Sequence, residues 1–368
     1  MSAASVAFVP DYPSLEKSRA MQYGLVLTIM LAFAAAVIAA FDYVVDPFQH
    51  YRKPSWYEPR FYRALQRQIN PGIARHYEYD TVITGSSMME NYSNREAGRI
   101  LGGNVVDLAM GAATAYELKH LLSTLAAAGK MRHVIFDLNY NAFSGPVNAQ
   151  LVDEPLPLHL YDDNRWNDLR YLLHQRTLGR SLEIALGLPR GRYSTDADRP
   201  WYWADEYEFS RAAVLRGLDL RNINRDFKQS PRTLQGMLAS FEANLLPVLR
   251  MHPEVRFSLV YPPYSALVWK DFRQRNQVEV TLAFRRRVFE LVRGLPNVAL
   301  YDFQTRRDWV TKLDNYKDIY HYSPAISRAM IESIAAGADR VGDESIIASE
   351  ALLRELAAAP DLEPNPAR

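Results

Sequence analysis

Cysteine is absent from the 368 residues. No disulfide, thiolate metal site or cysteine nucleophile can belong to this chain, and an oxidising compartment suits it without being required. A charge imbalance is lacking as well. The 43 basic side chains against 42 acidic ones leave a formal charge of +1, which, local patches aside, draws neither nucleic acid nor an anionic polymer from a distance. The eight histidines, among them His76, His120 and His133, are scattered without the spacing of metal ligands, so neither a metal nor another cofactor is expected. Internal repeats are missing. Long apolar runs are missing too, with one exception.

That exception is residues 24–41, eighteen residues without a charge, about the least that crosses a bilayer core as a helix. It shows no polar face, which disfavours a buried helix of a soluble domain. Two readings are open: an uncleaved anchor over residues 23–42, or a secretory signal cleaved near the small residues Ala39 and Ala40. The length of the run and the long segment before it, with Asp11 and Glu16, favour the anchor. Lys17 and Arg19 precede the run. Asp42 and Asp46 come after it, ahead of Arg52 and Lys53. This mild bias puts residues 1–22 in the cytoplasm and makes the chain a single-pass protein of the cytoplasmic (inner) membrane, its main domain extracytoplasmic or periplasmic.

After a connector over residues 43–78, rich in aromatics and proline, strands and helices alternate. The apolar, β-branched runs at 79–84, 104–108, 133–138, 255–261 and 298–302 read as five strands. Residues 61–69, 95–101, 115–128, 234–250 and 280–293 read as helices. Ser323-Pro324 opens a further one, with serine as N-cap and proline in the first turn. The alternation predicts an α/β fold with a mainly parallel five-stranded sheet covered on both faces, spanning residues 79–356. Residues 143–230 break the pattern and read as an insertion over the site. The proline-rich tail, 357–368, reads as disordered.

Chemistry is concentrated in two short segments. Asp318 lies three residues before His321, and Gly85-Ser86-Ser87 ends the first strand run. Taken alone, an Asp-x-x-His is ordinary polar surface. Paired with a serine at a strand end in an α/β chain, it supplies a nucleophile, a base and a carboxylate to orient the base. Ser87 is the expected nucleophile, with Ser86 as a rival within the turn. His321 is the base, and Asp318, rather than Asp302 or Asp314, orients it. Ligands of such sheets sit beyond the carboxyl ends of the strands, where Gly111, Asn139, Asn141 and Pro263 also fall.

In this order the segments resemble the signature blocks of the SGNH/GDSL hydrolase superfamily. Gly85-Ser86-Ser87 stands for its Gly-Asp-Ser, Gly111 for its oxyanion-hole glycine, Asn141 for the asparagine of its third block, and Asp318 to His321 for its last. Serine at position 86 departs from the main pattern. It resembles the branch of polysaccharide O-acetyltransferase components, such as the alginate acetylation proteins, and the membrane-anchored protein of teichoic-acid D-alanylation. The third block is the weakest match, because Tyr140 and Ala142 replace family residues. The resemblance implies an SGNH-like α/β/α fold and an oxyanion hole from the N–H groups of Ser87 and Gly111 and the amide of Asn141. Asn139, two residues away, is the alternative to Asn141.

Several further residues carry open readings. Ser86 either caps the following helix or donates into the site. Trp201 and Trp203, with Tyr264 and Trp269, either stack on sugar rings or fill a local core. The run Arg285-Arg286-Arg287 reads as a solvated helix face. Anchor, triad and resemblance together imply an esterase or acyl (acetyl) transferase on a cell-surface polysaccharide. For transfer, the resemblance implies a membrane-bound O-acyltransferase partner delivering acyl groups. The other class is a non-catalytic scaffold of the same fold in an exopolysaccharide synthesis or export complex.

Overall fold

Apolar runs bounded by polar residues build the centre of the protein. The structure is a computed structural model and describes residues 13–359, apart from 152, 189–190 and 217–231. In chain order the elements are α1 (Pro13–Val45), α2 (Gln66–His76), β1 (Thr81–Thr84), α3 (Asn94–Leu101), β2 (Val105–Asp107), α4 (Ala115–Ala128) and β3 (His133–Asp137). Then come α5 (Leu169–Leu172), α6 (Gln175–Ala185), α7 (Arg211–Arg216), α8 (Leu234–Asn244), α9 (Leu246–Met251) and β4 (Arg256–Tyr261). The last are α10 (Ala266–Gln274), α11 (Val278–Val292), β5 (Val298–Asp302), α12 (Arg307–Val310), α13 (Pro324–Ala336) and α14 (Asp343–Ala358).

All five strands pair in parallel, in the order β2-β1-β3-β4-β5. Val82, Ile83, Val134, Ile135, Phe257, Leu259 and Val260 are wholly buried, as strands covered on both faces require. Right-handed crossovers then set the layers. α4, α8 and α11 pack in a row, whereas α3 packs with α13. The order in which the chain adds strands reverses between β1 and β3, the switch point where such sheets open a crevice at their carboxyl ends.

Two helix boundaries differ from expectation, and both helices contain a proline. The helix expected at 61–69 begins at Gln66 and runs through Pro71. Pro71 has no N–H for the Arg67 carbonyl, and the Tyr161 hydroxyl donates to that oxygen instead, at 2.8 Å. The helix expected over 234–250 is two helices, α8 and α9, because Pro247 sits in the first turn of the second. α10 and α14 were not read from the sequence.

The chain divides into two compact units, Met1–Pro47 with Asn164–Arg190, and Phe48–Asp163 with Gly191–Arg368. The stretch expected as one insertion over residues 143–230 is thus shared between them, and its residues 217–231, like the tail from residue 360, lie outside the described residues. In the first unit α1 carries a segment, Arg19–Val45, long and apolar enough to cross a membrane. α5 and α6 pack against α1.

Arg285 corrects the reading of the arginine run. Its side chain is completely buried. It ion-pairs with Asp302 and donates to the Tyr140 hydroxyl at 2.9 Å and the Ser349 hydroxyl at 2.7 Å. The spacing of the run is helical, but only Arg286 and Arg287 face outward, at 51% and 52% side-chain exposure. Arg285→Met strands the Asp302 carboxylate in the core, at an expected cost of about 3–5 kcal/mol. Arg287→Ala should stay within about 0.5 kcal/mol of the wild type. Urea unfolding of both variants checks the contrast, and equal midpoints would show that Arg285 carries no structural weight.

Candidate active site

β1 ends at a turn that only glycine can enter. Gly85 has φ +145°, and a Cβ there would lie 2.1 Å from Asp137 Oδ1, far inside van der Waals contact. The β1–β3 register, Thr84 beside Phe136, brings Asp137 under the turn. Asp137 Oδ1 accepts from Ser86 N–H at 3.1 Å, and Oδ2 accepts from the Ser86 hydroxyl at 2.6 Å. The Ser86 oxygen in turn accepts from Asn139 Nδ2 at 2.9 Å and Met88 N–H at 3.3 Å. Ser86 is buried and fully engaged, whereas Ser87 is half-exposed. Burial pushes the Asp137 carboxyl up to about 7, against the opposing pull of its two hydrogen bonds from Ser86.

The Ser87 hydroxyl lies 2.9 Å from His321 Nε2. On the other side of the ring, Nδ1 is 2.8 Å from Asp318 Oδ2 and 3.0 Å from Oδ1. A carboxylate only accepts, so Nδ1 carries the proton and Nε2 is left to accept from Ser87. The local sequence fixes this pairing. Tyr320 N–H and His321 N–H both donate to Asp318 Oδ1 at 2.8 Å. Ser265 holds the Ile319 carbonyl with its hydroxyl, at 2.7 Å. Burial would raise the Asp318 carboxyl, but the imidazole, its hydrogen bonds and Lys317 outweigh this and hold it well below the usual carboxylate range. Asp302 is bound to Arg285, and Asp314 caps α7 through Arg211 N–H at 3.0 Å. Neither serves the imidazole.

Lys317 was missed in the sequence. Its ammonium sits 3.0 Å from Asp318 Oδ2 and over the rings of Trp203 and Tyr207, at 4.7 and 4.3 Å. Trp203 stands edge-on to the His321 ring at 5.4 Å, so this aromatic does reach the site. The other three aromatics do not. Trp201, Tyr264 and Trp269 are at most 1% exposed and belong to the core. Trp201 donates to the Asp107 carbonyl at 3.0 Å, while Trp269 and Tyr264 pack on Tyr140.

The expected oxyanion donors divide. Ser87 opens a short 3-10 turn, Ser87–Met89, whose other two N–H groups are bonded to Ser86. The first N–H of such a turn has no acceptor within it. Gly111 departs from expectation: its N–H donates to Gln66 Oε1 at 2.7 Å. The Gln66 amide donates in turn to the buried Glu90 at 2.9 Å, and Arg67 grips the Gly111 carbonyl at 3.2 Å. Long-range contacts from α2 thus occupy a group that strand-end position alone had marked as available. Asn139 is consumed by Ser86 and by Asn141 N–H, the latter at 3.0 Å. Asn141 keeps its amide, with Arg232 donating to Oδ1. A guanidinium has donors only, so this contact turns the Asn141 NH2 group away from Arg232.

No protein-family model matches the chain, and no curated protein is similar enough to name a family for it. A cleft of about 130 Å3 opens between α3, Tyr202 and α13, and no triad residue lines it.

The buried carboxyl gives a signed pH dependence. Folded, Asp137 keeps its proton up to about pH 7; unfolded, it releases it near 3.8. The folded state therefore binds more protons across that window, and stability falls as pH rises through it, by on the order of 4 kcal/mol from this group. Asp137→Asn lacks that slope. Urea titrations at pH 5 and pH 8 should show the variant gaining relative to wild type at the higher pH; a constant difference would refute the buried, protonated carboxyl.

Proposed function

We propose that the chain is a membrane-anchored O-acyl (acetyl) transferase or esterase acting on a cell-surface polysaccharide through a Ser-His-Asp triad. One observation carries the reading: a serine, an imidazole and a carboxylate joined in sequence by contacts of 2.9 and 2.8 Å, from segments far apart in the chain. In the first half-reaction the Ser87 oxygen attacks the acyl carbonyl while its proton passes to His321 Nε2. The imidazolium then returns that proton to the departing group, leaving an acyl-serine. In the second, a sugar hydroxyl or water repeats the steps in reverse and regenerates the serine. Donors for the intermediate oxyanion are the N–H of Ser87 and the amide of Asn141, with Gly111 available once Gln66 moves aside.

The apolar α1 supports anchoring, and the charges flanking it favour an extracytoplasmic catalytic domain. One helix cannot carry an acyl group across a bilayer. Transfer there calls for a partner of the membrane-bound O-acyltransferase kind, as the family resemblance suggests. The scaffold reading has a single observation in its favour, the engagement of Gly111 by Gln66.

A fluorophosphonate probe, which reacts with activated serines, separates the two. The wild type should label, and Ser87→Ala and His321→Ala should not, with the double variant no worse than either single. Asp318→Asn should cut the rate by up to about 10⁴ through loss of the correct tautomer. Ser86→Ala should leave the nucleophile in place and retain labelling. Labelling lost in Ser86→Ala but kept in Ser87→Ala would reassign the nucleophile; no labelling of the wild type would favour the scaffold. Polymer O-acetyl content in a Ser87→Ala strain then tests the substrate class.

A further inference from the structure

We infer that α5 and α6, with the residues flanking them, form a second membrane contact that lies in the bilayer interface beside the anchor. The inference rests on α1 being a membrane span and is independent of the triad. The observation is an apolar surface left without cover in the unit that contains α1. Trp166 is 89% exposed, Leu186 is 64%, and Leu169, Leu173, Leu182 and Leu188 all exceed 40%.

Helical spacing explains how α6 serves two surfaces at once. Thr177, Ser181 and Ile184 are buried and recur at the period of one helix face. α6 packs on α1, where Asp42 lies beside Ser181. Leu178, Leu182, Ala185 and Leu186 form a neighbouring stripe with the same period, and the last three of these are exposed. An apolar stripe with no partner inside the protein marks a surface that is covered by something else.

Three features identify the bilayer as that cover. First, α6 meets α1 at Asp42, just past the uncharged run 24–41. A spanning α1 therefore brings α6 to the level where hydrocarbon gives way to headgroups. Second, tryptophan, leucine and arginine are the residues of interfacial helices, which bury an apolar face in the acyl boundary. Third, residues 164–188 carry four arginines, Arg165, Arg170, Arg176 and Arg180, against Asp168 and Glu183. The surplus complements anionic lipid, and long arginine side chains reach up to phosphates while their stems stay in apolar surroundings. Tyr171 ties the segment to the end of the anchor, its hydroxyl donating to Asp46 Oδ1 at 2.8 Å.

The absence of native cysteine makes the test clean. Leu186→Cys and, separately, Leu182→Cys are labelled with an environment-sensitive fluorophore in the full chain. The labelled proteins are reconstituted in vesicles of phosphatidylcholine with or without phosphatidylglycerol. Leu31→Cys in α1 and Met251→Cys in the other unit serve as buried and aqueous references. Labels at 186 and 182 should shift to the blue and be quenched by nitroxide-bearing lipids, more strongly with phosphatidylglycerol present. A water-like signal at 186 and 182, with quenching at 31, overturns the interfacial contact alone. Loss of quenching at 31 as well overturns the span and the contact together. Shielding that arises only when a membrane-bound acyltransferase is added assigns the surface to a protein and overturns the lipid assignment.

Discussion

A carboxyl group buried beneath a glycine turn organises the candidate site. Asp137 ends β3 at the point where the order of strand addition reverses, and its oxygens take the N–H and the hydroxyl of Ser86. The turn can then come only so close, and its first residue can have no side chain. With Ser86 held inward, the next residue has one direction left, and Ser87 turns toward His321. Two adjacent serines of identical chemistry thus end in different environments because one faces a buried acceptor. A buried carboxyl is costly unless it is neutral or well bonded, and here it is both hydrogen-bonded and shifted toward the neutral form.

Local patterns in the sequence proved readable where local physics decides the outcome. Strand runs rich in Val, Ile and Phe are buried on both faces. Asp318 and His321 meet because the intervening N–H groups wrap the carboxylate. Residues whose surroundings come from distant parts of the chain were not readable. Trp201 answers to Phe61 and the Asp107 carbonyl, Trp269 to Tyr140 and Phe272, and Arg285 to Asp302 and Ser349. Apart from Phe272, three residues from Trp269, none of those partners lies within a few residues of the side chain it holds. The same holds for Gly111, whose N–H is claimed by a glutamine 45 positions earlier.

Around the imidazole, charge is balanced on one side only. Asp318 is shared between His321 and Lys317, while Trp203 lies under the Lys317 ammonium and stands edge-on to the His321 ring. The Asp318 carboxylate is therefore divided between an ammonium and a ring N–H rather than held by the imidazole alone. The aromatic wall keeps Lys317 in place by attraction between cation and ring.

The joining of residues 164–190 to the anchor bears on how the protein can be handled. Removing residues 1–47 takes α1 away from α6 and bares the buried Thr177, Ser181 and Ile184 beside the apolar stripe of Leu182 and Leu186. Such a fragment would carry an exposed helix whose packing against α1 is lost. The natural cut is double: the segment before Phe48 and the excursion from Asn164 to Arg190 go together, with a short linker joining Asp163 to Gly191.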